Sequence, residues 1–250
     1  MRELLILSAH SFREQLRSRF FSMILLFGGL ILYMSLLLGA LAADQELRVL
    51  LDFGLSFIEL MATGAACYAA ATGLLRELEM KTIYLVLTRP VSRSSYLLGR
   101  FFGLLAAAAC AIGVMSLLHL SLLFLKGWQW ENAYLLALAG IGLKLMVAAS
   151  LATFLALVST SALSALSMTA IAWMLGHFAS EMRFLLERSG LQGRLLGAAV
   201  YLIPNLQLFN FRDRAGSGLE EPVLFAFLYA PLYTGACLWA TLLLFKRKEF

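Results

Sequence analysis

Four ionisable side chains stand inside long apolar runs of this sequence: Glu59, His119, Lys144 and His177. A charge in hydrocarbon is costly, so each must meet a partner or line a polar cavity, and each is by default a candidate for function. Glu59 and Lys144 carry opposite signs, and a lysine stem is long enough to bring its ammonium to a carboxylate on another helix. Two readings of this pair stand side by side. One is a structural ion pair, or snorkelling groups, holding two helices together. The other is the polar lining of an outward-opening cavity that receives part of an amphipathic substrate. A proton relay is the weaker chemistry, because no continuous chain of carboxylates leads to the opposite side.

Other chemistries lack their residues. Cys67, Cys110 and Cys237 each stand alone in an apolar run, without a C-x-x-C pair, and read as small packing residues. No ligand set for a metal is spelled out, and neither H-E-x-x-H nor G-x-S-x-G occurs, so His119 and His177 have no local catalytic partner. A phosphate-cradling G-x-x-x-x-G-K-[ST] is absent too, so the chain is expected to be no enzyme and to bind no cofactor itself.

The elements that must position the four residues follow from composition. Of 250 residues, 61% are hydrophobic and 14% charged, with a mean hydropathy of +0.84. No single water-soluble core could hide that much apolar surface, which makes lipid the expected solvent. Runs long enough to cross ~30 Å of hydrocarbon fall near 22–43, 53–75, 97–125, 134–158, 162–180 and 223–245. Ala40 and Ala42 form an A-x-A pattern, but the run before them is too long for a signal peptide, which argues for an uncleaved first span. The expected fold is all-α: one domain, residues 1–250, of six transmembrane helices.

Six spans put both ends on one side, and the basic residues say which. Arg2, Arg13, Arg17, Arg19, Arg76, Lys81, Arg89, Arg93, Arg100, Lys246, Arg247 and Lys248 fall on one face, against seven Lys and Arg on the other. Basic residues accumulate on the cytoplasmic side, so both ends are expected there. The formal charge of +5 is explained by that orientation better than by a nucleic-acid surface. Counting ~1.5 Å per residue from the predicted outer ends, Glu59 and His119 lie ~9 Å deep and Lys144 ~15 Å deep.

Two segments have room for interactions outside the membrane: a cytoplasmic one at 76–96 and an outer one at 181–222. In the first, Met80, Ile83, Tyr84 and Leu87 continue a helical period, Glu77 and Lys81 form an i, i+4 pair, and Pro90 pushes Arg89 out of the helical region. Ser92 then suits the N-cap of the next helix. This pattern fits either a helix lying on anionic lipid or one docking into a groove on a cytoplasmic partner. Arg13, Arg17 and Arg19, beside Leu16 and Phe20, mark a second amphipathic helix at the N-terminus. Small residues, including the G-x-x-x-G of Gly99 and Gly103, permit close helix contacts. In the outer segment, Leu195 to Ile203 is too short to span and suggests a partly embedded helix, stopped by Pro204 and Asn205.

The stretch from Glu79 to Gly103, with E-x-K-T-I-Y, then R-P-V-S-R, then Y-L-L-G-R-F-F-G, resembles the cytoplasmic loop of ABC-2 type transporter permeases. Pro204, Asn205, Leu206, Phe209 and Asn210 before the last span, and the ending Phe245 to Phe250, extend the likeness, nearest to the branch that includes the permease of the nitrous oxide reductase maturation system. The resemblance implies a multi-pass protein of the bacterial inner (cytoplasmic) membrane. It implies two permease chains paired with two copies of a separate ABC ATPase, in which ATP and Mg reside. It further implies that Glu77, Glu79, Met80, Lys81, Ile83, Tyr84, Leu87, Arg89, Pro90 and Arg93 belong to the coupling segment contacting that ATPase. The N-terminal helix would touch the ATPase or lipid headgroups, and the outer segment would cap the dimer, gate it, or dock an extracytoplasmic partner. The reading from another class is a membrane scaffold or anchor of an assembly or signalling complex that moves no substrate.

Overall fold

The computed structural model describes residues 2–41, 45–80, 92–187, 202–211 and 220–247. Among the described residues there is no strand. The helices are α1 (Arg2–Arg17), α2 (Arg19–Leu41), α3 (Glu46–Glu79), α4 (Arg93–Leu125), α5 (Asn132–Val158), α6 (Ala162–His177), α7 (Ala179–Glu187) and α8 (Glu220–Arg247), with a 3-10 turn at Leu206–Phe209 before α8. Five of them, α2, α3, α4, α5 and α8, are long and apolar enough to cross a membrane. A sixth span results if α6 and α7, bent by 65° at their junction, count as one.

The expected spans map onto these helices with two physical differences. The run at 53–75 is the middle of a much longer α3, because Glu46, Arg48, Asp52, Arg76 and Glu77 are as helix-compatible as the apolar stretch between them. The run at 162–180 is not one straight helix: α6 ends at His177, where the Phe178 N–H returns to the Leu175 carbonyl and α7 leaves at an angle. Helices α3 and α4, with 34 and 33 residues, are each about 50 Å long and exceed the ~30 Å of a bilayer core. Ser92 caps α4 as its type predicts, accepting from the Ser95 N–H.

The bundle has two ends. At the near end, Ala71, Leu74, Tyr96, Leu97, Leu157, Ala165 and Phe245 pack together. At the far end, Leu32, Leu50, Leu123, Trp128 and Tyr134 do so. Between them, alanines of α3, α4 and α5 (Ala62, Ala66, Ala70, Ala108, Ala148, Ala149 and Ala152) form the core with Phe101 and Leu145. Small side chains let the helix backbones approach, so van der Waals contact replaces the hydrophobic drive that lipid cannot supply.

Helix α1 is seated on α4 by the G-x-x-x-G. A Cβ at Gly99 would meet Leu7 and the Leu4 carbonyl, and one at Gly103 would meet Ser8, Ser11 and Phe12. The contacts advance together along both helices, so α1 runs parallel to the start of α4, and Ser11 Oγ donates to the Arg100 carbonyl at 3.2 Å. The close-packing face read in Gly99 and Gly103 is thus used within the chain. On α1, Arg13 and Arg17 point away, exposed. At the next break, Ser18 Oγ accepts from the Phe21 N–H and starts α2.

Candidate functional site

Lys144 is the most deeply buried charge among the described residues, 1% exposed at the middle of α5. Its ammonium has three N–H donors, and three acceptors are among the groups it meets. Glu59 Oε1 of α3 lies at 2.5 Å, Asn210 Oδ1 at 2.7 Å, and His177 Nε2 of α6 at 3.4 Å. The ion pair read between Glu59 and Lys144 is therefore present, but it is half of a four-membered cluster. His177 Nδ1 lies 2.9 Å from the Trp173 carbonyl. A carbonyl can only accept, so Nδ1 carries the proton and a neutral His177 offers Nε2 as an acceptor. That tautomer is the one that serves Lys144.

Asn210 reaches this depth because the chain before α8 turns inward. Two glycines on different helices receive it. A Cβ at Gly140 of α5 would collide with the Phe209 carbonyl, and one at Gly176 of α6 would lie 2.8 Å from the Pro204 carbonyl and the Leu206 side chain. Leu206, Phe209 and Phe211 then bury against Val147, Ala226 and Ala230. Asn205 fastens the start of the turn: its backbone N–H donates to Tyr229 Oη at 3.2 Å, and its Nδ2 donates to Ser180 Oγ at 3.0 Å. The motif Pro204 to Asn210, met in the sequence as a family mark, acts physically as a wedge between α5, α6 and α8.

His119 belongs elsewhere. It is fully buried, with Nε2 3.2 Å from the Leu50 carbonyl and Nδ1 3.1 Å from Tyr134 Oη. Nε2 must donate to that carbonyl, so Nδ1 accepts from the tyrosine O–H. Gly54 makes the room, since a Cβ there would strike the imidazole. His119 thus ties α3, α4 and α5 at the far end and is not part of the Lys144 cluster.

At the near end, Arg100 of α4 donates to the Glu77 carboxylate of α3. Its guanidinium crosses the space left by Gly73. The i, i+4 partner expected for Glu77, Lys81, lies outside the described residues, as do Ile83, Tyr84, Leu87, Arg89 and Pro90. So do Lys248 and the segment from Arg188 to Tyr201. Glu79 ends α3, and Met80 follows it, 67% exposed. Arg93 Nη1 lies 3.4 Å from the Lys246 carbonyl and 3.5 Å from that of Phe245, joining the start of α4 to the end of α8.

One space touches the cluster, and two larger ones lie beyond it. A small void touches Glu59, Asn210, Phe209 and Phe211. It shares Leu55 and Ala137 with a far-end cleft of about 520 Å³ bearing Arg48, Asp52 and Glu131 on its walls. A separate apolar groove of about 320 Å³ lies between α3 and α6, lined by Leu60, Thr63, Gly64, Thr169, Ala170 and Trp173. Two polar atoms on its lining residues are unusual. Thr72, Thr153, Thr169 and Thr241 each donate to the carbonyl four residues back, whereas Thr63 Oγ1 and Trp173 Nε1 are buried without a hydrogen-bond partner. Among the described residues, no three of His, Cys, Asp and Glu converge to hold a metal ion.

Sequence reasoning placed Glu59 and Lys144 together and named His177, but it did not bring Asn210 to the ammonium. The available signal was an amide flanked by Phe209 and Phe211, with small residues, Gly140 and Gly176, on two neighbouring helices. In comparison with known proteins, the chain matches no family model and no curated sequence.

Proposed function

We propose that this chain is the membrane-spanning permease subunit of an ABC-2 type transporter, an exporter that works as a homodimer with two copies of a cytoplasmic ATPase in a bacterial inner membrane. Both termini and the segment between α3 and α4 would lie in the cytoplasm, on the end rich in Arg and Lys, and the inturned Pro204–Asn210 segment on the other side.

The observation that carries this reading is the pair of helices flanking the loop whose sequence resembles the coupling loop of such permeases. Helices α3 and α4 overrun a bilayer core by ~20 Å, and the Glu77–Arg100 pair fastens them together close to where that loop leaves them. A force applied to the loop by an ATPase would move two spans as one body, the rigid-body mode by which alternating access is commonly reached. Helix α3 carries that motion to Glu59, 18 residues away and therefore five turns up the same face.

The groove between α3 and α6 supports an amphipathic substrate. It is apolar and its volume falls in the ~300–1,000 Å³ range of ligand sites, which suits the apolar part of such a molecule. Co-expression with the candidate ATPase tests the reading. A stable complex in lipid is expected, with ATP hydrolysis that falls when Glu79 and Lys81 are charge-reversed (E79K/K81E). Failure to associate with any ABC ATPase would overturn the assignment in favour of a scaffold.

A further inference from the structure

The far-end cleft, about 520 Å³, has the volume of a ligand site and is lined from two sides. Helix α3 brings Arg48 and Asp52 to it, and the stretch that enters α5 brings Trp128 and Glu131. At the same end, Lys126 and Glu46 close a salt bridge at 2.5 Å. Among the described residues neither Arg48 nor Glu131 closes one, although both are exposed and line the same space. A guanidinium and a carboxylate that share a ligand-sized space without pairing present one positive and one negative site to whatever fits between them.

We propose that this cleft binds a phospholipid with a phosphoethanolamine-type head, in which an anion and a primary ammonium stand a few bonds apart. The planar fork of Arg48 suits the phosphate, and the carboxylates of Glu131 and Asp52 accept N–H bonds from the ammonium. A trimethylammonium head has no N–H to give a carboxylate and is held best by an aromatic cage. The aromatic residues lining this cleft are Trp128 and Tyr134. Trp128 is packed among Phe124, Trp130 and Tyr134, and Tyr134 Oη is engaged by His119 Nδ1 at 3.1 Å, so the carboxylates set the preference.

Two further features point to a lipid rather than a soluble zwitterion. Leu47, Leu51 and Leu55 follow one another at i, i+4 steps beside Arg48 and Asp52, an apolar strip on which an acyl chain can lie. The connection 126–131 joins two helices long and apolar enough to cross a membrane, so it lies at headgroup level on whichever side it faces. The inference does not rest on the transporter reading, because a scaffold would hold the same lipid in the same cleft.

Trp128 lines the cleft and is 9% exposed, which makes it a reporter of what lies there. A chain keeping Trp128 as its single tryptophan (W130F, W173F, W239F) would be placed in phosphatidylcholine nanodiscs. Lipid with dibrominated acyl chains, which quenches tryptophan on contact, would then be introduced stepwise. Dibrominated phosphatidylethanolamine is expected to reach half-maximal quenching at about a tenfold lower mole fraction than its phosphatidylcholine or phosphatidylglycerol counterpart. Arg48→Gln and Glu131→Gln change exposed side chains, so neither threatens the fold, and each is expected to remove most of that preference. Excess glycerophosphoethanolamine, the same head without tails, should leave the quenching unchanged. Three lipids that quench alike, or a preference that survives both variants, would overturn the proposal. Relief of quenching by glycerophosphoethanolamine would overturn it too, by giving the cleft to a soluble zwitterion.

Discussion

Glu59 and Glu77 stand 18 residues apart on one face of α3, and each meets a cation from a neighbouring helix, yet they do different work. Glu77 and Arg100 form a strut near the water-facing end of two overlong helices, with side chains 24% and 13% exposed. Glu59 and Lys144 form the centre of a hydrogen-bond network in which the cation is sealed, 2% exposed against 21% for Glu59, and four chain segments converge on it. A pair that water can reach tolerates change, because solvent substitutes for a lost partner. A sealed ammonium has no such substitute, so the loss of its carboxylate is felt in full. The strut suits transmission, and the sealed cluster suits a latch.

The sharpest break of this contrast is removal of one member of the sealed pair. Lys144→Met leaves Glu59 without its cation and is expected to lower stability by about 3–5 kcal/mol, read as a fall in thermal midpoint of the purified chain. The double variant E59L/K144M should recover much of that loss, because two apolar residues leave no charge buried. If the single and double variants melt alike, the pair is not the keystone described.

Next in size are the glycines that receive the inturned segment. Gly140→Leu should cost about 1–3 kcal/mol by driving a side chain into the Phe209 carbonyl. Gly142→Leu, two residues away with nothing within 4 Å of its Cβ, should be near neutral by the same melting assay. Equal effects would mean that the segment is not wedged where its contacts place it.

The strut should give the smallest change in stability. Glu77→Gln is expected to cost about 1 kcal/mol or less, while lowering ATP hydrolysis by the proposed complex more than its stability loss explains. A thermal midpoint that falls as far as that of Lys144→Met would erase the distinction between strut and latch.

Much of this was legible in the residues. Glu59 and Lys144 could be paired because they are opposite charges in the second and fourth apolar runs, where little else could satisfy either. Ser92 announced the start of α4 by type alone. His119 was not separable from the cluster, because depth along a helix says nothing of which face a residue takes, and it is Gly54 across the interface that fixes its direction. Asn210 escaped because periodicity is blind to a short irregular segment whose position is set by glycines about 35 and 70 residues earlier. The bend after His177 escaped because Phe178 and Ala179 are compatible with a continuing helix.

In the proposed transporter, ATP acting at the near end would reach the latch through α3 and α4. The direct measurement is acrylamide quenching of a chain keeping Trp173 as its single tryptophan (W128F, W130F, W239F), in complex with the proposed ATPase, with and without ATP, beside an E77Q/R100M variant. ATP should change the quenching in the parent complex and leave it unchanged in the variant. A parent complex that binds ATP with no change at Trp173 would contradict the claim.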